Sequence, residues 1–323
     1  MCVPGTVFCN NTVMDSDDLR PEAALQDSSS NGPMQHHVVP APESRWVLLH
    51  YHIFKNAGST IEYILHRALG SKFSMLHGPS PSSVLHGSDV EAFLAAKPGI
   101  LAISSHHIRY PKPIVPRVIL FDICFFRDPL QRLWSMYKFQ QRRDPVDEFG
   151  HISKSMDAPT FFSELLEQHP QMINDVQVNI LANRGEYTRP PTETDLRVAL
   201  DYLRQISVVG VVDLFDESAM AAEYFLRPTF PTLQFQYVKQ NADADGHGDH
   251  DAEMERFRKE AGDSVYAELE RMNRLDTELL AQARKEVLRR FEMLPSRGSR
   301  VADFRERCRI LRAVYAGVPV LAK

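Results

Sequence analysis

The sequence contains no apolar run of membrane length and no basic segment followed by a short apolar one near its start. Neither a spanning helix nor a secretory leader is expected. Cysteine is scarce: Cys2, Cys9, Cys124 and Cys308 form no C-x-x-C pair and no Cys/His metal spacing. That argues against a disulfide scaffold and a bound metal, and predicts reduced thiols in a cytoplasmic protein. Positive charge is not in excess, with Lys plus Arg at 37, Asp plus Glu at 42 and a net charge of −5. No global attraction for nucleic acid or acidic membranes follows. The G-x-x-x-x-G-K-[ST] loop of nucleoside triphosphatases is missing, and no internal repeat is present. What remains is an ordinary globular composition, 43% hydrophobic and 24% charged over 323 residues.

Residues 1–44 lack apolar periodicity and hold Asp-Ser-Asp-Asp, a run from Ser28 to Pro33 and further prolines. They read as a disordered arm. Residues 45–323 read as one α/β domain with a helical C-terminal part. Within it, 240–251 alternates Gly, His and Asp and reads as a solvated linker rather than a metal site. Residues 253–290 are helical in period and heavily charged.

Two segments carry the chemistry. Trp46 to Phe54 is a nearly unbroken apolar and aromatic run, as expected of a strand buried on both faces. The polar turn Lys55-Asn56-Ala57-Gly58-Ser59-Thr60 follows. Ile61, Ile64, Leu65, Ala68 and Leu69 then recur at helical spacing until Gly70 stops the helix. Ser59 or Thr60 is expected at or near the N-cap, where unpaired first-turn N–H groups attract an anion. Gly58 would let the backbone approach it, and Lys55 adds a positive charge. The second segment, Arg117 to Phe126, is another buried-strand run. It leads into Arg127-Asp128-Pro129, with Pro129 able to open a helix. Leu130, Leu133, Trp134 and Tyr137 mark the apolar face, and Ser135 lies two turns in. Each segment alone also fits an ordinary strand, turn and helix. Together they form two anion sites at carboxyl ends of strands, which suit a nucleotide with phosphates at both ends of its ribose.

Lys55-Asn56-Ala57-Gly58-Ser59-Thr60 resembles the 5'-phosphosulfate loop of sulfotransferases, P-K-T-G-G-T-S, at Lys55, Gly58, Ser59 and Thr60. Phe54, Asn56 and Ala57 depart from it. Arg127 to Tyr137 resembles that family's 3'-phosphate site, R-D-P-x-x-R-x-x-S-x-Y, at every fixed position. Between them, His107-Ile108-Arg109-Tyr110 resembles G-H-[IVL]-x-Y of carbohydrate sulfotransferases, with His106 in place of Gly. Weaker likenesses lie at 174–181, 206–218 and 273–283. The resemblance covers about Trp46 to Phe291 and is nearest the carbohydrate and heparan sulfate 2-O-type enzymes, as a soluble, bacterial member without a membrane anchor.

That resemblance implies a P-loop-containing nucleotide hydrolase-like three-layer fold, with a central parallel sheet flanked by helices. It implies 3'-phosphoadenosine 5'-phosphosulfate (PAPS) as donor, 3',5'-adenosine bisphosphate (PAP) as product, and no metal. The acceptor would be a hydroxyl-bearing glycan or small metabolite. Residues 55–60 would hold the 5'-phosphosulfate, and Arg127 and Ser135 the 3'-phosphate. Lys55 would act in catalysis with a histidine base, His107 by the motif's spacing and His106 by a shift of one residue. Arg109 would face an acidic acceptor, the sulfonate or solvent. Two alternatives stand beside this one. Val118 to Asp122 imitates the acidic strand of a P-loop kinase, and a non-catalytic nucleotide- or glycan-binding protein could share the fold.

Overall fold

The computed structural model describes residues 44–80, 83–142, 150, 153–239 and 250–316. The expected N-terminal arm, apart from Ser44, lies outside them, as do Cys2, Cys9 and residues 240–249 of the expected linker. The described residues fall within one unit, 40–323.

Five strands form one sheet: β1 (Arg45–Tyr51), β2 (Phe73–Met75), β3 (Ala102–Ser105), β4 (Val118–Phe126) and β5 (Val208–Val211). Their order is β2-β3-β1-β4-β5, and every pairing is parallel. The apolar runs of β1 and β4 are explained by this position, because central parallel strands are covered on both faces. Val47 and Leu49 point into one core and Leu48 into the other, all with no exposure. Each such side chain contributes about 1.5–3 kcal/mol relative to exposure.

On the first face pack α2 (Gly87–Ala96), α5 (Val176–Ala182), α6 (Glu193–Gln205) and α10 (Arg274–Glu292). On the second pack α1 (Gly58–Leu69), α7 (Phe215–Leu226) and α11 (Arg297–Ala316). Helices therefore cover both sides of the sheet. A third core joins α3 (Pro129–Arg142), α4 (Ala158–Gln168), α8 (His250–Ala261) and α9 (Asp263–Met272). Its centre is aromatic, with Trp134 stacked on Phe257 at 5.0 Å.

The long charged stretch 253–290 is three helices, broken at Gly262, whose φ is 83°, and at Asn273. Cys124 is a core residue of β4, and burial pushes its thiol well up. No helix among the described residues is long and apolar enough to cross a membrane.

Candidate functional site

The chain leaves β1 for β2 and β3 on one side, then crosses to β4 and β5 on the other. The carboxyl ends of β3, β1 and β4 thus flank the point where strand order reverses, the usual ligand crevice of an open parallel sheet. The three loops that leave those ends carry His106 and His107, Lys55 to Ala57, and Arg127.

The loop after β1 is strained. Lys55 and Ala57 both adopt left-handed backbone, with φ of 67° and 60°, although neither is glycine. Such conformations cost about 1–2 kcal/mol each and gather at functional sites. Helix α1 begins at Gly58 with Ala57 as N-cap, so the cap lies two residues before Ser59 and three before Thr60, the positions expected at or near it. Ala57 has no side-chain acceptor, so no side chain caps the helix start there. Ser59 is half-buried and Thr60 is buried, both inside the first turn. Gly58 has a role the sequence did not reveal. A Cβ there would sit 1.9 Å from the His52 imidazole, so the close approach it permits is to His52. The Lys55 ammonium lies 4.3 Å from the centre of the Phe139 ring on α3.

Asn56 turns inward. Its amide donates to the Phe125 carbonyl and to Gln177 Oε1, both at 2.8 Å. Gln177, wholly buried on α5, also accepts from the Arg127 N–H at 3.0 Å and donates to the Arg127 carbonyl at 2.9 Å. One side chain therefore clamps both loops. Arg127 completes the junction by donating from Nη1 to the Lys55 carbonyl at 2.9 Å. The two predicted anion loops are thus adjacent and joined. Ser135 is half-buried two turns into α3.

Behind Gln177, Asp276 accepts from the N–H groups of Gln177 and Val178 at 3.0 and 2.8 Å, and its own N–H donates to Asp175 at 2.9 Å. Burial and the charge of Asp276 push the Asp175 carboxyl up. Burial also raises Asp276, against those N–H groups and the buried Arg132 guanidinium. The buried polar pair in the short helix V-Q-V-N-I-L-A was the sequence signal for this clamp, because buried amides must find partners.

The loop after β3 brings His106 and His107 to a cleft of about 400 Å³, lined also by His52, Phe54, Arg109 and Met172. Their hydrogen bonds separate the two histidines. His106 Nδ1 lies 2.8 Å from the His52 carbonyl, which can only accept. His106 therefore carries its proton on Nδ1 and has a lone pair on Nε2. His107 Nδ1 accepts from the Gly78 N–H at 2.7 Å, so neutral His107 carries its proton on Nε2. Burial lowers His106 to about 4 and lowers His107 as well, so both imidazoles are neutral at neutral pH. Arg109 is half-buried and donates to the His106 and Ile108 carbonyls.

Asp122, the acid of the kinase alternative, sits in the middle of β4 and is buried. It accepts from Tyr110, Lys112 and Ser207 at 2.7–3.0 Å. Its oxygens are committed to these groups, away from the strand end where a metal-bound triphosphate would lie.

No known family model matches the chain. A protein of Archaeoglobus fulgidus, described only as uncharacterized, is similar to it: 25% identical over 241 residues, spanning 72% of this chain and 94% of that protein.

Proposed function

We propose that this chain is a PAPS-dependent sulfotransferase acting on a hydroxyl group, with a carbohydrate as the favoured acceptor class. The observation that carries the reading is the junction of the Lys55 and Arg127 loops at the ends of β1 and β4, with a histidine pair across the crevice after β3. The all-parallel sheet with helices on both faces agrees with a P-loop-containing nucleotide hydrolase-like fold.

In this reading the 5'-phosphosulfate rests on the uncapped start of α1 beside Lys55, and Arg127 with Ser135 takes the 3'-phosphate. Sulfuryl transfer is in-line, with the S–O bond to the nucleotide breaking as the acceptor oxygen bonds to sulfur. Negative charge grows on the departing phosphate oxygen, where Lys55 and helix-start N–H groups stabilise it. His106, with its lone pair on Nε2, takes the acceptor proton. His107 presents N–H at Nε2 and serves as a donor. Motif spacing alone favours His107 as base; the hydrogen bonds favour His106. The committed carboxylate of Asp122 weighs against the kinase alternative.

The test is release of PAP from PAPS on addition of pooled oligosaccharides, followed by chromatography. Acceptor-dependent release that Lys55→Ala largely abolishes is expected. Near wild-type turnover in Lys55→Ala would overturn the role given to the loop.

A further inference from the structure

Beneath the cleft, His50 and His52 stack on the same side of the chain, their ring centroids 5.4 Å apart. Both face Glu62 in the second turn of α1. His52 Nδ1 lies 2.7 Å from Glu62 Oε1, and the Ser104 hydroxyl donates to that same oxygen at 2.8 Å. His50 Nδ1 lies 2.9 Å from the Ser104 hydroxyl, its register partner across β1 and β3. One ring nitrogen from each histidine and one Glu62 oxygen lie within 4.8 Å of one another.

We infer that His50, His52 and Glu62 form a binding site for a divalent transition ion of the zinc class. Two imidazoles and one carboxylate are a donor set that zinc accepts, at metal–ligand distances of about 2.0–2.2 Å. Magnesium and calcium require oxygen-rich sites and are disfavoured here. His50 comes from a central strand, His52 from the residue that follows it and Glu62 from helix α1, so little of the chain must move to close on an ion. His50 is wholly buried, whereas His52 lines the cleft and gives an entry path. Three protein donors leave a coordination position for water or a cleft-borne ligand. Binding through Nδ1 would replace the contacts that His52 makes with Glu62 and His50 makes with Ser104. The His106 ring packs on His52 with centroids 3.8 Å apart, so a bound ion would also fix the wall of the cleft.

The site uses none of Lys55, Arg127 and Ser135 as donors, and its failure would leave the nucleotide reading standing. The experiment uses the full chain, stripped with a chelator and carrying no histidine tag. Zinc or magnesium is titrated in, and wild-type crystals are soaked in zinc for anomalous diffraction. Expected are stoichiometric zinc uptake, weakened by at least about tenfold in Glu62→Gln, no uptake of magnesium, and an anomalous peak between His50, His52 and Glu62. Zinc uptake unchanged in Glu62→Gln, or crystals with no peak between those residues, would overturn the site. The wild-type crystal decides the matter if Glu62→Gln does not fold.

Discussion

At the scale of single residues, the two neighbouring histidines differ by one hydrogen bond. His106 meets a carbonyl and His107 meets an N–H, and that opposition assigns the lone pair. His106→Ala should therefore lower turnover by about 10²- to 10⁴-fold, the usual worth of a general base. His107→Ala should cost less. Turnover with PAPS and an acceptor checks this, and the reverse ranking would return the base to His107. Gly58 makes a prediction about stability. Gly58→Ala places a methyl against the His52 ring at 1.9 Å and should destabilise by about 1–3 kcal/mol, the usual cost of overpacking. Adding His52→Ala should recover part of that loss in urea unfolding. Equal losses in the single and double variants would contradict the packing account.

At the scale of elements, α5 and α10 hold the site through Gln177. Removing its amide takes one of two acceptors from the Asn56 amide, both Gln177 bonds from the Arg127 backbone and one from Asp276, and each buried group left unsatisfied costs about 1–3 kcal/mol. Gln177→Ala should lower stability and weaken PAP binding together, because both anion loops lose one support. Calorimetric titration with PAP checks this; unchanged affinity in a destabilised variant would show that the clamp serves folding alone.

The α1 to β1 contact makes a pH prediction. Glu62 falls from 4.5 to about 2; burial opposes the shift, but His52 and Ser104 hydrogen bonds outweigh it. Its folded pKa is below its unfolded one, so its stabilisation is present above pH 4.5 and is lost as pH falls toward 2. His106 acts in the same direction between about 6.5 and 4, whereas the raised Asp175 acts oppositely as pH falls from about 7. The stability gap between wild type and Glu62→Gln isolates the first effect. It should shrink as pH drops from 4.5 to 2; a constant gap would contradict the assignment.

At the scale of the molecule, the parallel sheet was legible wherever burial on both faces wrote an unbroken apolar run, as in β1 and β4. Strand β2, only Phe73–Met75, is too short to leave a pattern and was not foreseen. The loops of Lys55 and Arg127 were readable because strand, turn and helix signals adjoin there, whereas the histidine pair was picked out by its resemblance to a family motif. Hidden were the contacts between distant segments: Asn56 with Gln177, Gly58 with His52, and Glu62 with Ser104. Polar residues in buried elements, His50 in β1 and Gln177 in α5, mark such contacts, but their partners lie up to 121 residues away. The order of His106 and His107 depended on which backbone group each ring met, and spacing carries no record of that.

The central claim is that the joined Lys55 and Arg127 loops bind a 3',5'-bisphosphorylated adenosine. Thermal unfolding with PAP, beside ATP and magnesium, tests it most directly. A ligand at about 100 times its dissociation constant adds roughly 2.7 kcal/mol, which is readable as a shift in Tm. The account predicts stabilisation by PAP, none by ATP with magnesium, and loss of the PAP effect in Arg127→Ala. Stabilisation by ATP with magnesium alone would contradict it.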